Sequence, residues 1–168
     1  MKRVFLFLVV VAIGVTTIQS QNMGQSTEMK AGISASLPVG DFSNAYSFGL
    51  QADFSYLFEI NEAFKVGPMA SLIYYNGDKI GVAGSSIKIS DVMFLPVGGH
   101  ARYLIDDLFV GGDLGYAIGL SPSGIQGGVL IRPKVGYNFG NITAVASYSA
   151  ITRSSTIGSI NIGVEFSF

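Results

Sequence analysis

From Ser159 to Phe168 every second side chain is apolar. Ile160, Ile162, Val164, Phe166 and Phe168 fall on one phase, and Ser159, Asn161, Gly163, Glu165 and Ser167 on the other. A two-residue period sends the two sets to opposite faces of a strand, so the strand meets two different environments. The same alternation recurs in seven stretches upstream, at 29–37, 46–58, 64–75, 90–104, 108–119, 128–138 and 142–151. Most are near the roughly 9 to 11 residues that a tilted membrane strand needs.

The chain is 49% apolar and 12% charged, yet beyond its first residues it has no apolar run of the roughly 18 needed for a spanning helix. A chain this apolar, without such helices, must satisfy its backbone in lipid by another route. A closed barrel does so, because every strand then has a partner on both sides and no edge remains in hydrocarbon. The expected fold is therefore an all-β, eight-stranded antiparallel up-and-down transmembrane barrel.

Lys2 and Arg3, the apolar run 4–15 and the polar stretch Thr16 to Ser20 have the order of a secretory leader. The expected division is a signal peptide at 1–20, cleaved near Ser20, followed by a barrel domain at 21–168. The chain lacks cysteine, so it forms no disulfide and offers no thiol for lipidation. Its net charge of −1 supplies no basic field for nucleic acid.

Within the strands the charges keep to one phase. Lys30, Asp53, Lys65, His100, Arg102, Asp113, Arg132, Lys134 and Glu165 all alternate with apolar residues. With the apolar phase in lipid, these nine line the lumen, where glycines on the same phase make room for them. Buried charges of both signs must be paired and hydrogen-bonded, which predicts a connected structural plug rather than a wide aqueous channel. The two-residue turn at 106–107 pairs Ile105 with Leu108 and sets His100 opposite Asp113, with the carboxylate favouring an imidazolium ring.

Connections alternate in length. Turns at 59–63, 106–107 and 139–140 are short, whereas 38–45, 76–89, 120–127 and 152–158 are longer and rich in Gly, Ser, Pro and Asn. Short turns at one end and long loops at the other match periplasmic and extracellular ends, with both termini in the periplasm. In that topology Phe58, Phe64, Tyr103, Tyr137, Phe166 and Phe168 form one outward aromatic girdle, and Tyr46, Phe48, Tyr74 and Tyr148 the other.

A single histidine without cysteine argues against a transition-metal site, and no glycine-rich stretch links a strand to a helix for phosphate binding. The sequence therefore offers no catalytic, cofactor-binding or metal-binding residue. His100 lies on the lumen phase toward the periplasmic half, the wrong place for a lipid-modifying enzyme.

The stretch Leu37-Pro38-Val39-Gly40-Asp41-Phe42, the segment Ala101-Arg102-Tyr103, the segment 112–117 (Gly-Asp-Leu-Gly-Tyr-Ala) and the aromatic C-terminus carry a likeness to a known group. The chain resembles the small outer-membrane β-barrel domain family, the eight-stranded barrels of OmpA and OmpX type. The resemblance spans the mature chain and implies residence in the cell outer membrane. It also implies insertion by the barrel-insertion machinery, which would read the terminal strand with Phe166 and Phe168. The expected protein is a monomeric, non-enzymatic barrel in outer-membrane lipid, with a structural role or one in surface interaction through extracellular loops. The 76–89 loop is the best candidate for contact with an extracellular partner. Narrow-lumen transport of a small solute, a lipid-modifying barrel enzyme and a soluble lipocalin-like carrier are the alternatives.

Overall fold

The computed structural model describes residues 26–82 and 85–168. The leader expected over 1–20 lies outside the described residues. Ten strands follow in chain order: β1 (Thr27–Val39), β2 (Tyr46–Glu59), β3 (Phe64–Gly77), β4 (Lys79–Val82), β5 (Ser85–Lys88), β6 (Val92–Ile105), β7 (Leu108–Ser121), β8 (Gly128–Phe139), β9 (Ile142–Thr152) and β10 (Thr156–Ser167). Eight of them close into one antiparallel barrel in the order β1-β10-β9-β8-β7-β6-β3-β2, while β4 and β5 form a separate hairpin. Closure runs along β1 and β10, from Lys30 opposite Ser167 to Val39 opposite Gly158. Every barrel strand thus has two partners, which is what an apolar medium demands of the backbone.

Local chemistry fixes the tight turns. Asp106 takes φ 53° between Ile105 and Leu108, which pair as the sequence predicts, and Gly140 takes φ 71° between β8 and β9. Asn61 accepts from the amides of Ala63 and Phe64 with its Oδ1, closing the turn between β2 and β3. Besides Pro38 near the end of β1, prolines lie well inside β3, β6 and β8, and pairing lapses on one side of each of these three. Between β2 and β3 it skips from Ser55–Met69 to Phe58–Val66 around Pro68. The β3–β6 ladder skips from Ala70–Val97 to Ile73–Phe94 around Pro96, and the β8–β9 ladder from Ile131–Ala150 to Lys134–Ser147 around Pro133. A proline has no N–H to give, so it interrupts the ladder.

The apolar phase faces outward. Phe54, Leu72 and Val135 are 43%, 42% and 47% exposed, whereas Arg102 and Arg132 are 1% and 0% exposed. A water-soluble barrel would show the reverse, with greasy side chains in the centre and guanidinium groups in solvent. An apolar belt around a charged interior makes this a transmembrane barrel.

Three expectations need correction. The 76–89 segment is not a plain loop, because Lys79 pairs with Lys88 and Val82 with Ser85 in the β4–β5 hairpin. Likewise β10 begins at Thr156, opposite Thr152, so the β9–β10 connection shrinks to 153–155. In both places strand pairing continues past the segment that the apolar pattern marks. Tyr46 leaves the outer girdle: the β2–β3 register shifts between Tyr46 and Phe48, and the irregularity lets the ring pack against the loop-end core. Such an irregularity breaks the strict two-residue alternation of faces.

A filled lumen as the candidate functional site

The lumen has two halves of different chemistry. Toward the short-turn end, inward positions on seven strands bring the charges together. Arg132 is the hub: its Nε donates to Asp113 Oδ2 at 2.5 Å, its Nη2 lies 2.8 Å from Asp53 Oδ1, and the same Nη2 donates to Ser71 Oγ at 2.8 Å. Ser71 in turn donates to Asp53, which also accepts from Gln51 Nε2 at 2.8 Å. Arg102 donates through Nη2 to Glu165 at 2.6 Å and lies over the Phe109 ring, 4.1 Å from its centroid. Lys134 reaches Glu165 at 3.2 Å and Asp113 at 3.4 Å.

Nearer the mouth, Glu28 holds Lys30 at 2.8 Å and Lys65 at 3.0 Å, and Lys30 also donates to Ser167 Oγ at 2.6 Å. The structure therefore places Lys30, Asp53, Lys65, His100, Arg102, Asp113, Arg132, Lys134 and Glu165 inside the barrel. It adds Glu28, which shares their phase, since Glu28 and Lys30 are two apart. Opposite charges at these distances, with further hydrogen bonds on most members, offset the desolvation that burial imposes.

His100 sits opposite Asp113, with Nδ1 2.5 Å from Oδ1. The expected imidazolium is not what the geometry holds. Arg102 Nε donates to His100 Nε2 at 3.0 Å. A guanidinium has no acceptor, so Nε2 carries no proton; the ring is neutral and donates its Nδ1–H to Asp113.

Toward the long-loop end the inward phase turns apolar. Met69, Ile73, Tyr75, Val92, Phe94, Ala117, Leu130 and Ile151 form one buried cluster, with Phe42, Tyr46, Ile125 and Ile157 packed on it. Phe42, on the short 3-10 helix Gly40–Asn44, stacks on Tyr46 at 4.3 Å and meets Tyr75 edge-on at 5.0 Å. Beside this cluster the Tyr75 hydroxyl bonds Ser159 Oγ at 2.8 Å, and Asn161 donates to the Ser147 and Ser149 hydroxyls. Sequence reasoning missed this plug. Its signal lay in the runs Leu72-Ile73-Tyr74-Tyr75 and Val92-Met93-Phe94-Leu95, where both faces of a strand are apolar.

Solved structures supply the comparison. The outer-membrane protein Ail of Yersinia pestis, in a phospholipid bilayer nanodisc, is similar at TM-score 0.56 and 17% identity, over 85% of this chain and 100% of that one. The fold is that of a small outer-membrane β-barrel. The same protein in complex with the heparin analogue sucrose octasulfate is similar at TM-score 0.57 and 17% identity, over 87% and 100% of the two chains. Neisserial surface protein A gives TM-score 0.51 and 17% identity, over 87% and 100%. No protein-family model matches the chain, and no curated protein matches it by sequence.

Within this outer-membrane barrel, no group of three or more His, Asp or Glu among the described residues is arranged to hold a metal. A small pocket of about 10 Å³ lies inside the charged half, beside Asp53, Asp113 and Arg132. A larger cavity of about 260 Å³ opens at the turn end, lined by Glu28, Lys30, Lys65, Arg102, Asn138 and Ser167 among others. The loop-end hairpin is tied down at its base. Asp91 accepts from Tyr74 Oη at 2.8 Å and from the Gly77 amide at 3.0 Å, and these bonds, the tyrosine's first, hold its carboxyl below the ordinary range.

Proposed function

We propose that the protein is a closed, non-enzymatic, monomeric outer-membrane barrel that acts through its loop end on a partner at the cell surface, with its short turns and both termini in the periplasm. A cleaved leader over 1–20 and a terminal strand read by the insertion machinery belong to the same reading; Phe168, 75% exposed, and Phe166 on the same face suit such recognition. The observation that carries it is the filled lumen. An apolar cluster packs one half and a paired charge network the other, an arrangement that disfavours transport.

Among the described residues the β4–β5 hairpin is the pair of strands that lies outside the barrel at the loop end, which makes it the contact element of choice. Ail binds a heparin analogue, but the loops of this chain balance Lys79, Lys88 and Arg153 against Asp41, Asp78 and Asp91. Such loops suit a partner recognised by polar and backbone contacts rather than a polyanion.

The test compares cells displaying the intact barrel with cells displaying one whose 79–88 segment is replaced by a Gly-Ser linker. Adhesion to host-cell surfaces should fall in the variant while both barrels remain silent in planar-bilayer conductance. Equal adhesion, or steady single-channel currents, would contradict the reading.

A further inference from the structure

The turn-end cavity carries an uneven charge count. Three cations, Lys30, Lys65 and Arg102, line it against two carboxylates, Glu28 and Asp107. The surplus is felt at the mouth, where two ammonium groups divide the single carboxylate of Glu28 and Arg102 shares Glu165 with Lys134. Asp107 accepts from Tyr137 Oη, whose ring belongs to the outward phase, so Glu28 is the carboxylate that the two lysines share.

A second observation is independent of charge. Arg102 is 1% exposed and lines this cavity, and its Nε and Nη2 are engaged by His100 and Glu165. Its Nη1 is buried without a hydrogen-bond partner. A buried guanidinium N–H left unmade is costly, and its preferred complement is an oxygen of a carboxylate or phosphate. The Asn138 amide and Ser167 hydroxyl add neutral hydrogen-bonding groups to the same wall.

We propose that this vestibule binds a small soluble oxyanion, a phosphate or a carboxylate, between Arg102, Lys65 and Lys30. The space of about 260 Å³ is ample for such a group, and the barrel wall keeps lipid headgroups away from it. Glu28 is then the built-in competitor that holds the lysines when the anion is absent. The site stands apart from the surface-contact function above; that proposal's topology decides only which compartment supplies the anion.

The experiment titrates isotope-labelled full-length barrel, held in maltoside micelles free of phosphate, with orthophosphate, acetate or chloride at constant ionic strength, following amide shifts of Asn138, Gly140 and Ser167. Phosphate, acetate or both should shift these amides saturably below concentrations on the order of 10 mM, and chloride should not. The oxyanion that saturates names the class. Lys65→Gln, at the half-buried rim, should weaken binding about tenfold, whereas Glu28→Gln, which removes the competitor, should tighten it severalfold. Shifts that fail to saturate, that chloride reproduces, or that Lys65→Gln leaves unchanged would overturn the proposal.

Discussion

Arg132 clamps Asp113 at 2.5 Å while holding Asp53 at 2.8 Å, so one guanidinium bridges carboxylates from two strands that are not neighbours in the barrel. Removing one partner of a buried pair costs more than the pair contributes, because an uncompensated charge remains. Arg132→Met leaves Asp53 without its cation and Asp113 with only Lys134, and should cost about 3–5 kcal/mol. Urea unfolding in lipid vesicles, followed by gel mobility of the folded and unfolded forms, measures it. A loss below about 1 kcal/mol would mean that water already solvates the two carboxylates.

His100 lies between a donor and an acceptor. Arg102 Nε donates to its Nε2, and its Nδ1 faces Asp113 Oδ1. The ring should therefore be the neutral Nδ1-protonated tautomer at neutral pH. Nitrogen chemical shifts of the labelled ring distinguish this form, since an imidazolium would show two equivalent protonated nitrogens.

Phe94 is fully buried in the loop-end cluster. Replacing it with alanine opens a void that close-packed neighbours fill only in part. Phe94→Ala should destabilise the barrel by about 3–5 kcal/mol. An effect near zero in the same unfolding assay would indicate a wet, loosely packed upper lumen.

Much of this arrangement was legible in the chain because alternation and one turn carry so much information. Ile105 and Leu108 flank a two-residue turn, and from that turn the ladder reaches His100 and Asp113 with no freedom left. What periodicity cannot give is who meets whom across the lumen. Arg102 on β6 finds Glu165 on β10, strands that share no ladder, and only the tilt and stagger of the closed barrel brings them together. Tyr46 was misplaced because its register irregularity leaves no mark in the apolar pattern. The β4–β5 hairpin escaped notice because four-residue strands are too short for their period to rise above that of a loop.

Asp91 makes the hairpin base sensitive to acid. Its carboxyl titrates below the ordinary value because the Tyr74 hydroxyl and the Gly77 amide bond the charged form. A lowered folded value means that the contribution is complete above the unfolded pKa of about 3.9 and is lost as pH falls through the folded one. Hydrogen exchange at Gly77 should lose protection over that acid range. In Asp91→Asn the dependence should vanish, and an unchanged profile would contradict the assignment.

The outward direction of the apolar phase decides the whole account, and site-directed spin labelling tests it directly because the chain has no cysteine of its own. Single cysteines placed in turn from Val129 to Tyr137 along β8, each carrying a nitroxide, should alternate in collision with oxygen dissolved in the bilayer. Labels at 129, 131, 133, 135 and 137 should be strongly relaxed by oxygen, and those at 130, 132, 134 and 136 shielded. A uniform profile, or the opposite phase, would contradict a barrel that holds Arg132 and Lys134 within and shows Ile131 and Val135 to lipid.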